Sequence, residues 1–433
     1  MREDFTIGTV RQKSHALNVL LGLLLFWTGL GIGGNISDVR YWVDSTWTSL
    51  YLEWAFMLLY IVIARKLPDI KGVWRHHRLA VDLVLIWAVW VLMAYLLSPY
   101  YSWQNPLAVM RLAETYTHML FFFVLWECFR KFDINYSVLF GALIASTVTV
   151  MGYFIYIRYA YPQLQADSHV FSIRSESLLL NTHVHRIGYQ VETALMLLTA
   201  FLIVKKARVS AAILTIALLI FLIWLGGRAA VLGTAVAGSV FLYSIRREVS
   251  VKVYLLAGAV AVLFALVIMA ANLPGTEYIV NALRKTFYAG SLSEMTAGRT
   301  EVWALALEKI GESWWFGTGP QSYFFYPHRP MEVIHAHNAF LQFLGEWGGI
   351  GSLLFLIMLF FGVRSGMKLH ATLPPSVKAY HKAAGLALVA LGVTSLFGGV
   401  FFFHQTTLYF IFAFALWVAP KGTTRTHPYD ITR

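Results

Sequence analysis

The sequence predicts an all-α polytopic membrane protein, and three observations predict it. Of 433 residues, 58% are hydrophobic and only 13% are charged, where an ordinary soluble domain has about 25% charged residues. Apolar runs recur along the chain at the length of roughly 20 residues that a helix needs to cross a bilayer. Basic residues gather in alternate connections between these runs, as they do when one side faces the cytoplasm.

Twelve candidate spans follow from the apolar runs: 16–34, 46–63, 79–97, 107–129, 135–157, 187–204, 210–226, 229–245, 252–271, 338–363, 380–397 and 401–418. Arg2, Arg11 and Lys13 precede the first run in the manner of a signal peptide. No small-residue cleavage site follows, so a retained helix is expected. The narrowest separations are Gly226-Gly227-Arg228, between the seventh and eighth spans, and Gly398-Gly399, between the last two. Both read as tight turns.

With the N-terminus placed inside, the N-terminal segment, the inner loops and the tail hold 23 of the 34 Lys and Arg residues. That bias supports an even number of spans with both termini cytoplasmic. It also accounts for the net charge of +12 through topology and contact with the phospholipid bilayer, so no nucleic-acid partner is expected. The single cysteine, Cys128, lies inside an apolar run and excludes both intrachain disulfides and cysteine metal sites.

The expected organisation is nine spans over 1–271, a large outer-face loop with short helices over 272–337, and three spans with a cytoplasmic tail over 338–433. A first outer excursion runs from Arg158 to Arg186. In the larger one, Pro274-Gly275 precedes helices expected near Glu277–Phe287 and Thr300–Ile310. The second helix has Trp303, Ala306, Leu307 and Ile310 at the spacing of one apolar face.

Chemistry-bearing residues concentrate on the outer side. His335-Ala336-His337-Asn338 ends the long loop where the tenth span begins. A helix N-terminus disfavours the imidazolium, so His337 reads as a neutral imidazole able to accept a proton from a hydroxyl. The other reading is an interfacial anchor. Arg299 precedes a helix, whose N-terminus together with the guanidinium would suit a phosphate; it could equally reach for lipid headgroups.

Arg228 follows two glycines that let the chain approach a ligand closely, although a solvated turn residue is the alternative. Arg186 follows His183 and His185. Those histidines with His335 and His337 could make a four-histidine metal site, but no carboxylate stands beside them at ligand spacing. Surface or supporting roles are preferred, and no metal is expected. Glu346 lies well inside the tenth span and must be paired or protonated. No phosphate-binding loop, nucleophile elbow or dinucleotide fingerprint is present, so no nucleotide or other cofactor is expected.

One ordered set of motifs covers about 55 residues: Gly298-Arg299, Trp303, Phe316-Gly317-Thr318-Gly319, His335-Ala336-His337-Asn338, Phe340-Leu341-Gln342 and Glu346-Trp347-Gly348-Gly349-Ile350-Gly351. It resembles the O-antigen ligase and polymerase superfamily of bacterial inner-membrane glycosyltransferases. The twelve-span plan, the late outer loop and Gly227-Arg228 are similar to it as well. The resemblance implies a GT-C-like architecture with a periplasmic helical subdomain and a periplasmic active site. The implied reaction is inverting and independent of metal and nucleotide. It moves O-antigen polysaccharide from undecaprenyl diphosphate to the lipid A–core oligosaccharide.

It further implies that His337 is the base and that Arg299 and Arg228 hold the diphosphate, with Arg186 a less certain third. His335, Asn338, Trp303 and Gln342 are expected to line the substrate. An O-antigen polymerase, which extends a lipid-linked glycan, is the alternative within this family. A secondary transporter is the alternative outside it, but the inverted repeats and midplane helix breaks expected of one are not evident.

Overall fold

The computed structural model describes residues 2–30, 38–65, 67–68, 78–98, 106–160, 184–204, 208–246, 290–296, 298–328 and 333–419. These form helices α1 (Arg2–Leu30), α2 (Asp38–Ala64), α3 (Arg78–Leu96), α4 (Pro106–Lys131), α5 (Tyr136–Ala160), α6 (Val184–Ile203), α7 (Arg208–Trp224) and α8 (Arg228–Ile245). There follow α9 (Leu292–Met295), α10 (Arg299–Glu312), a 3-10 turn at Ser322–Phe325, α11 (Ala339–Thr372), α12 (Pro375–Ser395) and α13 (His404–Val418). Among the described residues there is no strand.

Eleven of the twelve predicted spans coincide with helices; the ninth, 252–271, lies outside the described residues, as does the expected helix at 277–287. Among the described residues, seven helices are long and apolar enough to cross a membrane, and three shorter apolar ones accompany them. Large apolar side chains face outward, including Val89 at 61%, Ile213 at 65% and Phe360 at 60% exposure. Water does not tolerate apolar surface on that scale, and lipid does. The chain is thus a multi-pass membrane protein.

α12 is the axis of the bundle, packed between α6, α8 and α13. Its buried face is rich in alanine (Ala379, Ala383, Ala384, Ala387, Ala390), and small residues let membrane helices approach closely where no hydrophobic effect draws them together. Ala194 on α6 and Ala230 and Ala237 on α8 are likewise buried.

Several elements depart from expectation: α1 begins at Arg2 and α2 at Asp38, well ahead of the predicted 16 and 46. The tenth span was expected to end at 363, but α11 continues to Thr372 and takes Arg364 and Lys368 into the helix. On α10 the buried residues are Val302, Ala306 and Ile310, whereas Leu307 is 55% exposed. The apolar face is therefore turned by about one residue from the predicted one.

α11 is also broken. Gly348 has φ 67° and ψ −176°, outside any helical region. Such a break at membrane depth leaves backbone groups without partners, which hydrocarbon does not tolerate. The loop after α10 supplies them. Thr318 N–H donates to Gly345 O at 2.7 Å and Gly319 N–H to Glu346 O at 3.1 Å; Gly349 N–H donates to Trp314 O at 2.7 Å. A Cβ at Gly348 would collide with Trp315 O and Gly317 N. The two glycine-rich motifs, distant in sequence, are thus one packed joint. Trp90 on α3 seals it by donating its indole N–H to Trp347 O at 2.8 Å.

Candidate active site

Helices α6, α8, α10, α11 and α13 begin at one end of the bundle, around the connection 396–403. That connection ties them together. Gly399 N–H donates to the Tyr189 hydroxyl of α6 at 3.2 Å. Asn338 donates its side-chain amide to Leu396 O at 3.0 Å. Each helix start carries a partial positive charge, so their convergence favours an anion.

The histidine loop is fixed against this connection. His335 is buried. Its ring stacks on Phe402 with centroids 4.3 Å apart and fills the space where a Gly399 side chain would stand. His337 N–H donates to His335 Nδ1 at 3.1 Å. An Nδ1 that accepts a hydrogen bond carries no proton, so His335 is the Nε2–H tautomer. The two rings lie 4.0 Å apart. His337 itself has φ 51°, a left-handed conformation rarely adopted without glycine. Strain of this kind, held by its surroundings, is a feature of functional sites.

The neighbouring predicted residues share one task. Asn338 caps α11: its Oδ1 accepts from Leu341 N–H at 3.0 Å, and its amide is the tie to Leu396. Trp303 donates to Ala336 O at 3.0 Å and so binds α10 to the histidine loop. Gln342 is buried and donates to Glu346 at 3.0 Å. These three residues therefore hold the loop's shape.

The arginines are brought to the same place. Gly298, with φ 76°, turns the chain left-handed so that α10 begins at Arg299. Arg228 starts α8 and donates to Met295 O at 2.8 Å, just ahead of α10. Burial lowers the Arg299 guanidinium from its ordinary value; the Tyr189 phenol opposes this, and the nearby Arg228 charge adds to it. Arginine nevertheless stays charged at physiological pH. Arg186 is buried one turn into α6, 4.9 Å from the Phe403 ring centroid. His185 is half-buried beside it, and His183 lies outside the described residues, so the four-histidine arrangement is not formed by described residues.

Sequence reasoning missed a second polar region behind Phe401–Phe403. Arg111 donates to Phe401 O at 2.6 Å and to Glu114 at 2.7 Å, and lies 3.9 Å from Glu346. Glu346 is therefore paired within the bundle, one of its two expected fates. Beyond Glu114 stand His118, His404 and Glu53, all buried. The available signal was the spacing of Arg111, Glu114 and His118 along one face of an apolar run, since ionisable groups inside a span are functional candidates by default. An apolar cavity of about 480 Å³, lined by Leu79, Phe122, Met358 and Phe414 among others, lies at the opposite end of the bundle from His337.

Residues 213–356, about a third of the chain, match the family model described as O-antigen ligase. The match supports membership of the O-antigen ligase and polymerase superfamily. The matched segment holds Arg228, Arg299, Trp303, His335, His337, Asn338 and Gln342; Arg186 and the residues behind Phe401–Phe403, Glu346 apart, fall outside it. No curated protein matches the chain. The match suggests a glycosyltransferase-like enzyme of O-antigen processing, and together with the apolar helices it suggests a multi-pass bacterial membrane protein.

Proposed function

We propose that the protein is an O-antigen ligase of the inner membrane. In this reading it transfers O-antigen polysaccharide from undecaprenyl diphosphate to lipid A–core oligosaccharide at the periplasmic face. The observation that carries the reading is the pairing of Arg228 and Arg299. The Arg228 guanidinium is near enough to disfavour the charged state of Arg299, and both are held at the same end of the bundle as the strained His337. Like charges brought together cost free energy, which an anion between them offsets. A diphosphate is an anion of the right size and valence.

The chemistry then follows. His337 takes the proton from an acceptor sugar hydroxyl. The hydroxyl oxygen attacks the anomeric carbon from the face opposite the diphosphate, forming the new glycosidic bond with inversion. The bond from the anomeric carbon to the diphosphate oxygen breaks, and its electron pair leaves with undecaprenyl diphosphate. Arg228 and Arg299, with Arg186 behind them, stabilise the growing negative charge in a site with little water. His335 fixes the backbone of His337 through its Nδ1, and the cleaved bond supplies the driving force without a nucleotide.

Purified protein given undecaprenyl-diphosphate-linked O-antigen and lipid A–core should form the glycosylated core, with chelator present. His337→Ala should lower the rate about 100-fold or more; full activity in that variant would remove the residue's assigned role. In a deletion strain, loss of all O-antigen with polymer left on its lipid carrier fits the ligase. A core bearing one repeat unit would instead make the protein a polymerase, and unchanged glycan would point to transport.

A further inference from the structure

Behind Phe401–Phe403, four side chains from three helices meet out of reach of solvent: Glu53 of α2, Glu114 and His118 of α4, and His404 of α13. None is more than 8% exposed. The Glu53 carboxylate lies 3.1 Å from His118 Nδ1 and 2.9 Å from His404 Nε2. On the far side of both rings, Glu114 lies 3.5 Å from His118 Nε2 and 3.4 Å from His404 Nδ1. Each imidazole thus points one nitrogen at Glu53 and the other at Glu114.

Two occupancies could neutralise this cluster. Counting Glu53, Glu114 and Glu346 as charged against Arg111, the region carries two surplus negative charges. Two imidazoliums would answer them, or one divalent cation would. The angles decide between these. An imidazolium needs its N–H groups aimed along hydrogen bonds. Both ring nitrogens of His404 have carboxylate oxygens within 3.5 Å, yet neither makes a hydrogen bond in the protein; nor do His118 Nε2, one Glu53 oxygen or one Glu114 oxygen, and only His118 Nδ1 is bonded, to the other Glu53 oxygen at 3.2 Å. Three of the four ring nitrogens are thus close to a carboxylate without being aimed at it, an arrangement that suits ligands around a shared centre.

We propose that Glu53 with His118 Nδ1 and His404 Nε2 forms a buried binding site for a divalent transition-metal ion of the zinc class. Their ligand atoms all lie within 4.8 Å of one another. Neighbouring ligands of a tetrahedral zinc ion stand roughly 3.3 Å apart, close to the 2.9 and 3.1 Å from Glu53. Two histidines and one carboxylate are a donor set that zinc takes, whereas calcium and magnesium prefer oxygen alone. Glu114 completes the arrangement: a metal-bound histidine turns its other N–H to a carboxylate, which fixes the tautomer. Here a single carboxylate serves both rings, and Arg111 anchors it at 2.7 Å.

The ion's role is structural. It joins α2, α4 and α13, and through Arg111 it bears on the carbonyls of Phe401 and Phe402 that back the histidine loop. An ion enclosed in this way does not exchange during a short assay with chelator, so transfer under those conditions is compatible with it.

The test is the metal content of the full chain, purified in detergent without added metal and measured by mass spectrometry. About one first-row ion per chain is expected for the wild type, and below ~0.1 for Glu53→Gln and for His404→Ala. Prolonged stripping with a strong chelator should lower the wild-type melting temperature by several degrees, and zinc but not magnesium should restore it. This readout guards against variants that fail to fold. A folded, monodisperse wild type with no bound ion and no thermal response to zinc would overturn the proposal and leave the cluster as a ring of imidazoliums and carboxylates. Neither measurement uses turnover, so each stands whatever reaction the enzyme performs.

Discussion

Around His335 and His337, three guanidiniums gather beside two imidazoles at the ends of five helices. One layer further in, past Phe402, acids and bases alternate from Glu346 through Arg111 and Glu114 to the two histidines and Glu53. The two regions share a wall yet follow opposite electrostatic rules. The inner one is acidic, and its surplus carboxylates are met by Arg111 and by the cation proposed above, since a buried charge must be compensated where no water reaches it. The outer one collects positive charge, which under the proposed function receives the anion of the donor. A polar region inside a membrane protein is therefore read by the balance of its charges as much as by their presence.

Variants that disturb one region and spare the other sharpen this contrast. The largest effect is expected from Arg111→Ala, which leaves Glu114 and Glu346 buried without their cation. Removing one partner of a buried pair costs about 3–5 kcal/mol. The variant should give little monodisperse protein, and what is recovered should melt well below the wild type; an unchanged melting curve would show that the inner charges are not held by one another.

Arg299→Gln should do the reverse. Transfer should fall about 100-fold, while stability holds or rises slightly because a like-charge contact with Arg228 is removed. A drop in melting temperature without a drop in transfer would reassign Arg299 to the fold. The smallest effect is expected from Asn338→Ala, which removes the cap of α11 and the tie to Leu396. A lost N-cap costs about 1 kcal/mol, readable as a modest shift in thermal unfolding.

Much of this architecture was legible in the sequence because the bilayer imposes a length and the cytoplasm a charge. Many span limits fell within a few residues of the helix ends, as at Gly226-Gly227-Arg228, whereas α1 starts well ahead of its apolar run, at Arg2. α11 overran its predicted limit because Arg364 and Lys368 are good helix formers that carry the helix on past the apolar run. The start of α10 at Arg299 was legible from Gly298. Its buried face was not, because Trp303 and Leu307 fit the helical period as well as Val302 does, and only the position of the histidine loop selects between them.

The outer site was legible as separate points whose meeting was not. Nothing local states that Gly399, some 60 residues after His335, leaves the space its ring occupies. The inner region was hidden more deeply. Arg111, Glu114, His118, Glu53 and His404 are scattered singly through apolar runs, where each reads as a tolerated exception. Pairing across three helices is what gives them sense.

The joint at Gly348 bears on how the protein is made. A span with unmet backbone groups is poorly suited to entering lipid by itself, since each such group costs several kcal/mol there. The segment from Trp314 to Gly319, which meets those groups, is encoded ahead of α11 and leaves the ribosome first. The half of α11 that begins beside His337 is thus completed by a stretch already synthesised. Insertion of the membrane domain and assembly of the histidine loop become a single event in the life of the chain.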